Sequence, residues 1–236
     1  EISFGTHNDE YSLMQNTTLS SFYPSNVNLG SYNVVSGKTN LNSVYIQDAW
    51  QFLPSWKLTA GARDDYWNAY DGQYATGGYQ AGNTGTAAVP LIGAVAKSSS
   101  GTSYPTNSKN GFQPKASLEY DVTKELNIRG SMGRAYRMPT ASELFQALSN
   151  STGTWVNNPN LQPQIATSYD LTTSYRKVDA FNGAIGLLQP RVSLFMEDRW
   201  NAIISNNAIT NGLPTNQYVN VGKALFRGIE AELIAK

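Results

Sequence analysis

The stretch LNSVYIQDAWQFLPSWKLTAGARDDYWNA, residues 41–69, contains two segments of period-two hydrophobicity joined by a tight turn at Leu53-Pro54-Ser55. In the second segment, between Trp56 and Tyr66, apolar side chains occupy one face and polar side chains the other. This pattern predicts two long antiparallel strands with one apolar and one polar face.

The connections between such segments alternate along the chain between very short and very long. The turns at 53–55 and 122–124 are short, whereas 71–110 and 139–163 are long and polar. In an up-and-down antiparallel sheet, every second connection lies at the same end, so all the long loops gather at one end. Outer-membrane β-barrels have this asymmetry, with short turns inside and long loops outside. The pattern therefore predicts external loops at 13–38, 71–110, 139–163 and 204–216.

The alternating segments define about eight strands. Several of them reach about 11–14 residues, whereas strands of globular proteins usually have about 5–6 and a tilted membrane strand needs about 9–11. One helical turn is expected at 140–145, inside a long loop. The predicted strands are 2–12, 41–52, 56–69, 112–122, 125–138, 165–177, 190–203 and 217–235.

Composition narrows the class of protein. The 236 residues are 40% hydrophobic and only 14% charged, and 17 basic residues balance 17 acidic ones, so no electrostatic footprint for nucleic acid exists. The absence of Cys rules out disulfides and thiolate metal sites, and no apolar run is long enough for a transmembrane helix. Both ends resemble the middle of a strand, so we expect residues 1–236 to be part of a larger protein.

Aromatic residues near the predicted strand ends suit the interfacial girdles of a membrane barrel, although they could also cap the core of a soluble sandwich. The candidates for the girdles are Trp50, Trp56, Tyr66, Trp67, Tyr136, Trp200 and Tyr218.

Alternation alone fits a soluble carbohydrate-binding or adhesin β-domain as well as a membrane wall, and a passive porin is a further alternative. An enzyme is not expected. His7 is the only histidine, no GxSxG-type elbow is present, and the adjacent Asp64 and Asp65 point to opposite faces of a strand.

Four segments carry a more specific signal. Residues 45–50 with 56–65 resemble a "YxQD … GxRxD" hairpin, and 133–145 resemble "GxAxRxPxxxEL". Residues 158–164 resemble "NPNLKPE", with Gln162 and Gln164 in place of Lys and Glu, and 218–232 resemble "YxNxGxxxxxGxExE". In this order and spacing, the segments are similar to the β-barrel of TonB-dependent outer-membrane receptors, over most of the chain.

The resemblance implies an all-β, up-and-down transmembrane barrel of about 22 strands with long external loops, of which this chain would supply about eight. It implies a location in the outer membrane of a Gram-negative bacterium, in contact with lipid. It also implies a plug domain of the same parent chain, absent here together with the C-terminal strands, that engages the TonB complex. The expected function is active import of a scarce nutrient, most often a ferric siderophore, with no cofactor bound by this segment.

Two sets of site residues follow from this resemblance. Side chains that stack or donate charge-assisted hydrogen bonds suit an aromatic or anionic chelate, and the candidates in or beside the external loops are Tyr70, Tyr74, Tyr79, Arg134, Arg137 and Trp155. Charged residues on the polar strand faces are expected to face the lumen and contact the plug: Arg63, Asp65, Glu119, Arg129, Glu230 and Glu232.

Overall fold

The computed structural model describes the backbone of residues 1–18, 31–83, 92–150 and 153–236, and the side chains of 1–17, 33–77, 100–148 and 153–236. Within these residues, strands dominate and no helix is long and apolar enough to cross a membrane. Eight strands form the main wall: β1 (Ile2–Thr18), β2 (Ser31–Leu53), β3 (Trp56–Asn83), β5 (Asn107–Asp121), β6 (Leu126–Arg137), β9 (Gln164–Tyr175), β11 (Ile185–Thr210) and β12 (Leu213–Ala235). The shorter elements are β4 (Ile92–Ser103), α1 (Ala141–Phe145), β7 (Leu148–Asn150), β8 (Gly153–Val156) and β10 (Lys177–Ala180).

The wall is an up-and-down antiparallel sheet in which each strand pairs with its neighbours along the chain, in the order β1-β2-β3-β5-β6-β9-β11-β12. The hairpins β3–β4 and β10–β11 are side branches, and β8 pairs in parallel with β12. Within the part of the chain that the structure describes, β1 has one unpaired edge, so the wall is an open arc and not a closed barrel. The all-β, antiparallel architecture predicted from the alternation is confirmed.

The inner face of the wall, defined here as the face that carries Arg63, is polar. Cross-strand contacts join its side chains, including Thr172 Oγ1 to Ser193 Oγ at 2.9 Å and the Arg129–Glu119 ion pair at 3.8 Å. The opposite, outer face carries Leu58, Leu118, Met132, Leu171, Leu194 and Ile229 in adjoining rows. Leu194 and Ile229 remain 46% and 73% exposed, which is the arrangement expected of a surface that meets lipid.

The predicted aromatic girdle is correct for some residues and wrong for others. Trp50, Tyr66 and Trp200 are exposed on the outer face, and Trp56 stacks on Tyr120 with 4.4 Å between ring centroids. Trp67 is only 2% exposed, because its odd position on β3 turns it to the inner face, where it joins a buried cluster. Tyr136 and Tyr218 also pack on inner-face neighbours, over Gly111 and against Trp155 respectively.

Three of the predicted long loops are mostly strand. β1 continues to Thr18 and β2 begins at Ser31, and β3 continues to Asn83 and pairs with β4. The predicted loop at 204–216 is the top of the β11–β12 hairpin, which turns at Asn211-Gly212 with positive φ of 51° and 79°. Asn-Gly adopts such a two-residue turn readily. These additional strand segments show no period-two hydrophobicity. They lie beyond the apolar band, so neither of their faces meets lipid.

We expect a charge introduced on the outer face to destabilise the protein more than a charge introduced on the inner face, because the outer face meets lipid. Leu194→Lys in the full parent receptor should lower the free energy of unfolding in phospholipid vesicles by about 2–4 kcal/mol, since a charge on the lipid face near the bilayer midplane costs that much. Thr172→Lys, on the inner face of the neighbouring strand β9, is the matched control and should change it far less. Equal effects of the two substitutions would contradict the assignment.

Candidate functional site: the inner face and its bridge

After the end of β6, residues 139–150 and 153–163 fold back onto the inner face; they are called the bridge below. Their helical turn α1 begins with a capping box, in which the Glu143 amide donates to Thr140 Oγ1 at 3.2 Å and the Thr140 amide donates to Glu143 Oε2 at 2.9 Å. The other carboxylate oxygen of Glu143 pairs with Arg137. The helical turn predicted at 140–145 is thus confirmed, and it is tied directly to the last residue of β6.

One end of the bridge is held on β2 and β3 by the ring of Phe145, which is 2% exposed. The ring lies against Gly37 and Gly72, and a Cβ added at either glycine would overlap it. Gly72 follows Asp71, whose positive φ of 55° marks the point where β3 changes register against β2. A bulge and two glycines therefore form a socket for one ring, which Tyr104 covers at 6.0 Å between ring centroids.

The other end of the bridge is held on β12. β8 pairs in parallel with Thr215–Gln217, the Asn158 side chain donates to the Tyr218 carbonyl at 2.9 Å, and the Gln162 amide donates to Asn220 Oδ1 at 2.8 Å. The NPNLQPQ segment is thus an anchor whose polar groups bond to β12. The bridge thus covers the inner face between β2–β3 and β12 at the long-loop end of the wall.

The predicted ligand-contacting residues of the bridge are occupied by packing and pairing. Trp155 packs edge-on against Tyr218 with 5.4 Å between ring centroids, and its buried Nε1 has no hydrogen-bond partner among the described residues. Arg137 holds Glu143 and so fixes α1. Their contact with a ligand stays a prediction, and the contacts of the structure give both residues a bracing role.

The predicted tyrosines lie on the extension of β3 and are separated by its bulge. Tyr70 precedes the bulge. Its hydroxyl lies 3.5 Å from Glu10 Oε1, and Lys38 Nζ lies 5.8 Å from the centroid of its ring. Tyr74 follows the bulge and packs against the Phe145 cluster, where burial and the neighbouring Tyr104 raise the pKa of its phenol. The side chain of Tyr79 lies outside the described residues.

The residues predicted to face the plug occupy the inner face, but they differ in accessibility. Asp65 is 3% exposed, because Arg63 Nε donates to it at 2.7 Å and Gln113 also bonds to it. Glu119, Arg129 and Glu230 line a cavity of about 530 Å³ in the lower wall, which is the part of the wall nearer the short turns. Glu232 lies two residues further along β12, opposite Arg191. Plug contact for these residues stays a prediction.

Arg134 was predicted as a ligand contact and Arg63 as a plug contact, yet the structure brings them together. Both line a cavity of about 330 Å³, whose other lining residues are Tyr45, Ile46, Gln47, Ala62, Gln113 and Lys115. The Arg134 guanidinium carbon lies 5.2 Å from the centroid of Tyr136, over whose ring it is placed. Lys115 was not among the predicted site residues, although its odd position on β5 already assigned it to the polar face.

Comparison with known proteins agrees with this architecture. The family profile described as "TonB dependent receptor-like, beta-barrel" matches residues 2–235, so the chain belongs to that family, whose members are receptors and transporters. No curated protein sequence matches the chain.

Solved structures share the fold at low sequence identity. The Serratia marcescens hemophore receptor HasR, solved with its hemophore HasA and heme, is 16% identical with a TM-score of 0.68, over 100% of this chain and 40% of that one. The E. coli K12 ferric-catecholate import receptor Fiu is 21% identical with a TM-score of 0.54, over 99% of this chain and 32% of that one. The copper transporter OprC is 16% identical with a TM-score of 0.52, over 97% and 36%. The chain thus spans 32–40% of the length of these proteins.

Truncation of the ring in the glycine socket should release the bridge without unfolding the wall. Phe145→Ala removes a fully buried ring, a change that costs about 3–5 kcal/mol in a packed core, whereas the wall keeps its ladders. In the full receptor, limited proteolysis should begin within 139–163 while the barrel core survives. Ser142→Ala, at an exposed position of the same helical turn, is the control, and an unchanged cleavage pattern in Phe145→Ala would contradict the role of the socket.

Proposed function

We propose that the chain is the central part of an outer-membrane receptor that binds an iron chelate at the long-loop end and imports it with energy supplied through TonB. The observation that carries this proposal is the match to the TonB-dependent receptor barrel over residues 2–235. An exposed apolar outer face and a polar inner face suit a wall between lipid and a polar lumen.

The chain spans 40% of the HasR structure and 32% of the Fiu structure, which supports a parent protein that contains further parts. We propose that these parts are the remaining strands and a plug that occupies the lumen. Polar inner-face groups in the lower wall, such as Arg129 and Glu230, are suitable plug contacts because they offer both charges within one cavity. The plug would also carry the segment that TonB engages.

An iron chelate is the proposed cargo because two of the similar structures are named for heme and for ferric-catecholate import. The inner face presents rings and cations, which bind the organic shell of such a chelate by stacking and by charge-assisted hydrogen bonds. A siderophore is the proposed form of the chelate, and heme is the second candidate.

Uptake measurements on the native host test this proposal. Deletion of the parent gene should abolish energy-dependent uptake of at least one radiolabelled ferric chelate from a panel of catecholate, hydroxamate and carboxylate complexes and heme, and the parent gene should restore it. A protonophore should stop the restored uptake, because transport requires the proton-motive force. Uptake that continues with the protonophore would indicate a passive porin, and unchanged uptake of every chelate after deletion would refute the proposal.

A further inference from the structure

We propose that the wall contains a hinge: the end of β6 and the helical turn α1, residues 134–145, swing together away from β5. The facing segments 111–114 of β5 and 134–137 of β6 are called the seam below. Because α1 is the part of the bridge that lies on β2 and β3, its swing uncovers the inner face beneath it. The hinge is a property of the wall and does not depend on the identity of the cargo.

The ladder between β5 and β6 ends before either strand does. Their pairing starts at the short turn and stops where Lys115 lies opposite Gly133. β5 nevertheless continues to pair with β3 as far as Asn107, and β6 continues to pair with β9 as far as Arg137. The seam is therefore an interruption inside the wall, between two strands that are each paired on their other side.

A proline explains where the ladder ends. The amide of Val122 donates to β6 and the amide of Asp121 donates to Ser55, so the even-numbered residues of β5 point their amides towards β6. In this register the next donor after Ala116 would be Pro114, which has no N–H. Proline within a sheet is usually confined to edge strands and bulges, whereas β5 lies between β3 and β6. The break in the ladder is thus built into the sequence of β5.

The side chain of Gln113 replaces the missing ladder with a single clasp. Its Oε1 accepts the Tyr136 amide at 3.2 Å, and its Nε2 donates to Asp65 on β3. Asp65 also accepts from Arg63 Nε at 2.7 Å, and Arg63 Nη2 donates to Ser43 Oγ at 2.8 Å. The end of β6 is therefore tied to β3 and β2 through side chains, and only one bond has to break for it to leave β5.

A ring, and not paired backbone, fills the seam. A Cβ added at Gly111 would lie 2.9 Å from Tyr136 Cγ and 3.1 Å from Met138 Cε, so a side chain at this position would displace the ring. At the other end of the seam, a Cβ added at Gly133 would meet only the Lys115 Cβ, at 3.9 Å. Glycine has the widest range of backbone angles, so Gly133 is a suitable pivot.

The seam lies where the wall no longer faces hydrocarbon. Asp64 is an exposed residue on the outer face of β3 and lies opposite Phe112 of the seam. A carboxylate directed outwards is costly in lipid, so Asp64 marks the polar end of the apolar band. Backbone groups that are released at the seam bond to water there, and opening does not carry the cost that hydrocarbon would impose.

The end of β6 moves with α1 because the two are joined by short contacts. Arg137 pairs with Glu143, which also closes the capping box with Thr140, three residues after the end of β6. α1 is in turn fixed on the wall by the Phe145 ring in its glycine socket on β2 and β3. The Gln113 clasp and the Phe145 ring therefore hold the hinge closed together, and release of one loosens the other.

Hydrogen exchange in the full parent receptor, held in phospholipid nanodiscs without cargo, tests the hinge at single amides. The reference is the amide of Ile165, which lies opposite Tyr136 in the same row and is paired with Trp200 on β11. The Tyr136 amide should exchange at least about tenfold faster, because one neutral hydrogen bond to a side chain protects it. Equal exchange of the two amides would refute the hinge.

Substitutions at the seam should shift this rate in opposite directions. Pro114→Val supplies the missing donor and should slow exchange of the Tyr136 amide about tenfold, towards the rate of Ile165. Gln113→Leu removes the clasp and should raise the Tyr136 rate about tenfold. Pro190→Val, the same substitution near the lower end of β11, is the control and should leave the rate unchanged. An unchanged rate in Pro114→Val would overturn the inference.

Phe145→Ala distinguishes a hinge that includes α1 from local fraying of β6. Release of the ring should raise exchange of the Leu144 amide, which donates to the Thr140 carbonyl at 3.1 Å, and of the Tyr136 amide together. A rise at Leu144 alone would show that α1 moves without β6 and would overturn the inference. If a variant at 113 or 114 fails to assemble, Phe145→Ala and the comparison with Ile165 decide the result.

None of these measurements requires transport. Failure of the wild-type receptor to import any chelate would therefore refute the proposed function, while the exchange rates alone decide whether the hinge exists.

Discussion

The rest of this structure depends on the need to pair every backbone amide and carbonyl within a wall that faces lipid. Hydrocarbon offers no hydrogen-bond partner, so only continuous ladders such as β5–β6–β9–β11 can cross it. Once the ladders are fixed, successive side chains alternate between two environments, and the sequence must alternate with them. Leu194 and Ser193 are neighbours in sequence, yet one lies on the apolar outer face and the other bonds to Thr172 on the inner face.

The bridge differs from the wall because it is irregular backbone inside the arc, without the hydrogen bonds of a strand ladder. Several of its polar groups find partners in the capping box of Thr140 and Glu143 and in the hydrogen bonds that the side chains of Asn158 and Asn220 make between the bridge and β12. Its apolar groups are buried on a part of the inner face that is itself apolar, around Val35, Trp67 and Ala69. The inner face thus has two zones: an apolar zone that receives the bridge, and a polar zone that lines the lumen.

The sequence predicted the wall well and the region beyond it poorly, for physical reasons. Inside the membrane, alternation is imposed by lipid and is visible from Trp56 to Tyr66 without any structure. Beyond the apolar band, the ladder of β3 continues through Tyr74 with no alternating pattern, since no lipid lies along one of its faces to impose one. The inward fold of the bridge was also hidden, because Phe145 is buried by glycines more than 70 residues away in sequence, at Gly37 and Gly72. The Asn211-Gly212 turn is a local signal in this region that could have been recognised from the sequence, as the helical turn at 140–145 was.

Two of the family-like sequence motifs each contribute a glycine that lies next to Lys115 in the wall. Gly61 belongs to the hairpin motif and Gly133 to the segment that leads into the bridge, and their spacing along the chain suggests no relation between them. The register places both beside Lys115, one on each neighbouring strand, where they open the wall around a single charge. Gly61 also lies so close to the Ile46 carbonyl that a Cβ there would come within 2.8 Å of it, so close strand approach constrains this position independently. Gly133 has no such contact, because a Cβ there would meet only the Lys115 Cβ at 3.9 Å, so the space beside Lys115 is open on the β6 side.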